Sequence, residues 1–136
     1  MNGLVVSFFA LTTLLSFIAG VGVRRVSDSD TARRYGIGMV LTSISFAVWS
    51  VAIILRNDIS LDLYITIGLL PLMVGMIFFI WSGASVLERQ KQMLLITLGV
   101  VGALVLMVMR GFYPSHPYFS PEGLFFFGPD PLVLFF

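Results

Sequence analysis

Cysteine is missing altogether from this sequence, and histidine occurs once, at His116. Without thiols there can be no disulfide, no thiolate metal site and no cysteine-ligated iron–sulfur cluster. A single histidine excludes a bis-histidine haem within one chain. His116 lies between Pro114 and Pro117 and reads as a solvated side chain. Glu122 nearby adds too few ligands to make a metal site. Charge is scarce as well, at 11% of residues, where soluble domains carry about 25%. The net charge of +1 points to no nucleic-acid partner. No motif for nucleotide binding or catalysis is present, and no cofactor is expected.

What fills the chain instead is apolar: 58% of the 136 residues are hydrophobic, and the mean hydropathy is +1.02. A soluble fold of this size has too much surface for its volume to hide so much oil. Four uncharged stretches account for it, at 3–23, 36–55, 63–87 and 93–109. As helices they measure roughly 32, 30, 38 and 26 Å, against a hydrocarbon core of about 30 Å. Backbone in lipid must satisfy its own hydrogen bonds, which an isolated strand cannot do, so the stretches are read as helices. The fold class expected is therefore an all-α membrane protein, a four-transmembrane-helix bundle over 1–110. Pro71 removes a donor within the third span and is expected to kink it. The first stretch is read as a retained anchor, because Met1-Asn2 has no positive side chain and the apolar run is long for a signal peptide.

Lysine and arginine mark sidedness. Arg24, Arg25, Arg33 and Arg34 lie in the first join, and Arg89 and Lys91 in the third; only Arg56 and Arg110 lie on the other side. The joins carrying six of the eight cations are expected in the cytoplasm, with the N-terminus outside, and the short joins suggest a prokaryotic inner (plasma) membrane. Arg24, Arg25, Arg33 and Arg34 are also candidates for docking lipid headgroups or an acidic partner, with Asp28 or Asp30 expected to cap the second helix.

Composition changes after Arg110. Residues 111–136 hold five of the six prolines and nine of the nineteen aromatics. Pro114, Pro117 and Pro121 forbid a regular helix, so an outer-surface loop with a short hydrophobic terminal segment is expected. Asp130-Pro131 before Leu132 resembles a helix start. Two readings stay open: an aromatic terminus inserted shallowly, or the beginning of a fifth helix in a longer protein.

Lipid supplies no hydrophobic force between helices, so small residues that let backbones approach are the expected contacts. Gly68, Gly75 and Ser82 recur at intervals of seven on the third span, and Ser43, Ala47 and Ser50 share a face of the second. They serve packing within the chain or a homo- or hetero-oligomeric contact. No ionisable residue lies near the middle of any span; Asp62, at the outer end of the third helix, is the nearest, a place for a cation or proton to enter or simply a charge favourable to the helix dipole. The buried hydroxyls have no intramembrane base beside them, which argues against a membrane enzyme. The reading that fits best is a non-catalytic integral membrane subunit that packs against lipids and partner proteins. The alternatives are the N-terminal membrane region of a longer sensor or signalling protein, or a small transporter or channel.

The absence of native cysteine makes the sidedness directly measurable. In intact cells, Ser27→Cys and Gln90→Cys should resist a membrane-impermeant maleimide until the cytoplasmic side is opened, whereas Asn57→Cys should label at once. Labelling of Ser27→Cys and Gln90→Cys from opposite sides would remove the four-span reading.

Overall fold

The computed structural model describes residues 2–55, 58–112, 118–119 and 125–126. Helix α1 spans Asn2–Val26, α2 Asp30–Leu55, α3 Asp58–Gly83 and α4 Arg89–Phe112. A single 3₁₀ turn, Ala84–Val86, lies between α3 and α4. Beyond α4, Tyr118–Phe119 pairs antiparallel with Phe125–Phe126, Tyr118 opposite Phe126 and Phe119 opposite Phe125. The start of a fifth helix at Asp130 lies outside the described residues. Within the four helices the segments Val6–Val26, Asp30–Leu55, Leu63–Val86 and Arg89–Arg110 are each long and apolar enough to cross a bilayer. These are the helices of a membrane-integral protein.

Helices α1 and α4 run past both ends of their uncharged stretches and α2 and α3 past the N-terminal end only; α2 stops with its stretch at Leu55, and α3 stops at Gly83, short of residue 87, where the 3₁₀ turn takes over. At the start of α2 the cap is Ser29, where sequence pointed to Asp28 or Asp30. The Ala32 N–H donates to Ser29 Oγ at 3.2 Å, the bond an N-cap hydroxyl makes to the third helical residue. Asp30 is instead the first helical residue, where its carboxylate faces the positive end of the dipole and sits 4.0 Å from Arg34. Helix α3 continues through Pro71 without a break in its helical assignment.

Helix α2 is the centre of the structure. Its most apolar window is one-third buried, whereas that of α4 contains no buried residue. Residues two apart on a helix point about 200° away from each other, and α2 uses this at Gly36 and Gly38. A Cβ on Gly36 would lie 2.7 Å from the Gly20 carbonyl oxygen of α1. A Cβ on Gly38 would lie 3.1 Å from the Gly75 carbonyl oxygen of α3, and 2.7 Å from the Phe79 ring. Two glycines therefore bring α2 into backbone contact with a neighbour on each side. Helix α4 leans on α3, with Ile80 in the space left by the missing side chain of Gly99.

Six hydroxyls inside α1 and α2 serve their own backbone. Thr12, Thr13, Thr42, Ser45 and Ser50 donate to carbonyls four residues back, and Ser43 to the carbonyl three back. Each hydroxyl is thus satisfied without a partner on another helix, which is what a polar group needs when no water is at hand.

Gly20 and Gly22 offer a matched comparison, because a Cβ on Gly20 meets the Gly36 carbonyl oxygen at 2.8 Å while one on Gly22 meets nothing within 4 Å. Gly20→Ala should destabilise the protein in a detergent unfolding titration by about 1–3 kcal/mol, the usual range for overpacking. Gly22→Ala should be neutral or gain up to about 1 kcal/mol from helix propensity. Equal effects of the two would mean that α1 and α2 do not touch as described.

Candidate functional site

Three features gather side chains with chemistry: the end of the bundle that holds the basic joins, an aromatic cluster at its other end, and a groove between α1 and α2.

At the basic end the two joins lie side by side. Ser82 Oγ donates to the Thr31 carbonyl at 3.0 Å, and Thr31 Oγ1 donates to Ser85 Oγ at 3.1 Å. These bonds tie the first turn of α2 to the end of α3 and the 3₁₀ turn. Arg34 points inward over the same junction, its guanidinium carbon 4.2 Å from the centre of the Trp81 ring. Tyr35 meets Phe79 one turn away, with ring centres 5.3 Å apart. Arg34 is thereby committed to the fold, by a cation–π contact of about 0.5–1 kcal/mol and a weak pair with Asp30. Arg24, Arg25 and Arg33 are exposed, and make no ion pair among the described residues. Lys91 pairs with Glu88 at 3.2 Å on an exposed surface, where such a pair contributes little.

Toward the opposite end Phe9, Phe46 and Trp49 form a three-ring cluster with centres 5.5–6.1 Å apart. Trp49 Nε1 crosses to α3 and donates to the Ile65 carbonyl at 3.3 Å. The indole can reach because Gly68 has no side chain; a Cβ there would overlap the indole nitrogen. Ala52 and Ile65, both 2% exposed, complete this apolar centre. Arg110 Nε donates to Thr66 Oγ1 at 3.4 Å, linking the last turn of α4 to the N-terminal part of α3.

The third feature is an open groove of about 650 Å³ between α1 and α2. Ala10, Thr13 and Phe17 line it from α1, and Ser43, Ala47 and Ser50 from α2. Its hydroxyls are those already bonded to their own helices. The surface presented is accordingly apolar.

Gly68, Gly75 and Ser82 all turn toward α2, onto Trp49, Gly38 and Thr31 respectively. Ser43, Ala47 and Ser50 form one wall of the groove. Asp62 lies on the backbone of α3, but its side chain is outside the described residues, as are His116 and Glu122. Among the described residues no three histidine or carboxylate side chains come together as a metal site would require. Sequence reasoning did not single out Gly38, the Trp49–Ile65 bond or the Arg34–Trp81 contact. The Gly36-x-Gly38 spacing was the available signal for the first; the other two join residues far apart in the chain. The arrangement is that of a helical membrane-integral protein with a polarised distribution of arginine. No family model, curated protein or solved structure matches the chain.

The polar junction at the basic end is open to test. Ser82→Ala removes the bond to Thr31 and should lower stability by about 0.5–1.5 kcal/mol, the ordinary net worth of a hydrogen bond. The emission of Trp81 should change with it, because the ring and its Arg34 partner sit on the same junction. An unaltered unfolding midpoint with unaltered Trp81 emission would show that the two joins are not tied together.

Proposed function

We propose that this chain is a non-catalytic integral membrane subunit, which packs against lipids and partner proteins to stabilise or assemble a larger membrane complex. In this reading the basic joins face the cytoplasm and the N-terminus lies outside, in a prokaryotic inner membrane. The observation that carries the reading is the free face of α4. Leu94, Leu98, Val101, Val105 and Val108 recur at intervals of four and three along one side of it, and every one is about half exposed or more. That spacing keeps a stripe on one side of a helix, as knobs-into-holes packing against another helix requires. Helix α3 holds α4 from elsewhere, so the stripe is available to a neighbour.

The absence of catalysis in the proposal is supported by how the membrane hydroxyls are used. A serine or threonine nucleophile needs a base at hydrogen-bond distance, and the six hydroxyls of α1 and α2 described above all donate to backbone carbonyls. The arginines support the orientation through the preference of cationic joins for the cytoplasmic side.

Solubilised gently from its own membranes, the protein should migrate as a particle larger than one chain, with a partner at fixed stoichiometry. Val101→Asn, in the centre of the free stripe, should lower partner recovery about tenfold, as loss of a central contact does. Recovery of the chain alone, even after crosslinking within the membrane, would refute the proposal.

A further inference from the structure

We propose that the α1–α2 groove, with Arg24 and Arg33 at its mouth, is a binding site for an anionic phospholipid of the leaflet at the basic end. The argument starts from register. Ala10, Phe17 and Arg24 are seven apart on α1, so Arg24 stands on the groove side of its helix, about 10 Å beyond Phe17. On α2, Ser50, Ser43 and Gly36 are likewise seven apart, and Arg33 lies one turn before Gly36 on that side. Arg34, one residue on, turns the other way to Trp81. Arg24 and Arg33 thus lie on the groove side of their helices, beyond one end of one apolar channel.

The Gly20–Gly36 crossing separates the two parts of the site. The stem of Arg24 lies across Gly36, its Cγ 2.6 Å from where a Cβ would be. An arginine held there keeps its methylenes in the apolar layer and its guanidinium at the rim, where a headgroup phosphate sits. Below the crossing the small side chains of Ala10, Ser43, Ala47 and Ser50 leave a groove of about 650 Å³. From Arg24 to the middle of the groove is about 16 Å along α1, close to half the hydrocarbon thickness. A phosphate on the arginines would therefore place its acyl chain in the groove.

Charge selects this occupant over a second copy of the chain, which would bring the same cations against these. The join carries four arginines against two carboxylates, Asp28 and Asp30, and Asp30 faces Arg34. Among the described residues neither Arg24 nor Arg33 has an anionic partner. The inference rests on the lipid-packing part of the proposed function and is independent of any protein partner. A lone chain that kept its lipid would uphold it while the subunit reading failed.

Native mass spectrometry of the full chain in a mild neutral detergent provides the test, with phosphatidylglycerol and phosphatidylcholine of identical acyl chains as probes. One phosphatidylglycerol should be retained in preference to phosphatidylcholine. Arg24→Gln and Arg33→Gln should each reduce that preference about fivefold. Ala47→Phe and, separately, Ser50→Leu fill the groove and should lower retention of both lipids, with helicity by circular dichroism confirming that each variant folds. Equal retention of the two lipids by the parent chain would overturn the proposal. So would a phosphatidylglycerol preference that survives both arginine substitutions, retention undiminished in a folded groove-filled variant, or efficient Ala47→Cys disulfide dimers in membranes, which would assign the groove to a second copy.

Discussion

Two glycines, two residues apart, hold the arrangement of this protein together. In a bilayer the helices gain nothing by hiding from solvent, since lipid is as apolar as they are, and attraction comes from close packing instead. Gly36 lets α2 press on Gly20 of α1, and Gly38 lets it press on Gly75 of α3. The two contacts point in opposite directions because the helical period turns through more than half a circle in two residues. Helix α2 thereby packs closely against α1 on one side and α3 on the other, and α3 in turn carries α4. A side chain at Gly36 would strike the Gly20 carbonyl oxygen and the stem of Arg24, and one at Gly38 the Phe79 ring and the Gly75 carbonyl oxygen; the carbonyls belong to helix backbone and cannot give way alone.

The other contacts follow from that placement. Once α2 is fixed beside α3, the basic ends come together and Ser82 and Ser85 meet Thr31, while Arg34 finds the face of Trp81. At the far end Trp49 reaches over Gly68 to the Ile65 carbonyl and closes the gap with Phe9 and Phe46. Each of these is worth about a kilocalorie or less. Their value lies in register, because each tolerates only one vertical alignment of α2 against its neighbours.

The same geometry decides what is left uncovered. Helices α1 and α2 meet at Gly20 and Gly36 and again at Phe9, Phe46 and Trp49, and small side chains between these contacts leave the groove. Helix α4, held by α3, shows the rest of its apolar circumference to whatever surrounds it. Among the described residues few side chains are buried, and much apolar helix surface is open to other molecules. That ratio is the physical basis for proposing a packing role, with arginines distributed so that one end of the molecule differs from the other.

The four spans could be read from the chain alone, because their lengths and lack of charge answer to the thickness and polarity of a bilayer, which are the same for every protein. Small residues at Gly68, Gly75 and Ser82 could also be read as contact positions, since their spacing puts them on one helical face. Their partners could not. Which helix Gly75 touches, that Ser29 caps α2 in place of an aspartate, and that Arg34 turns inward onto Trp81 while the stem of Arg24 lies across Gly36, are not written in the local sequence pattern. Periodicity assigns a residue to one side of a rod; only the packing of the rods decides what lies on that side.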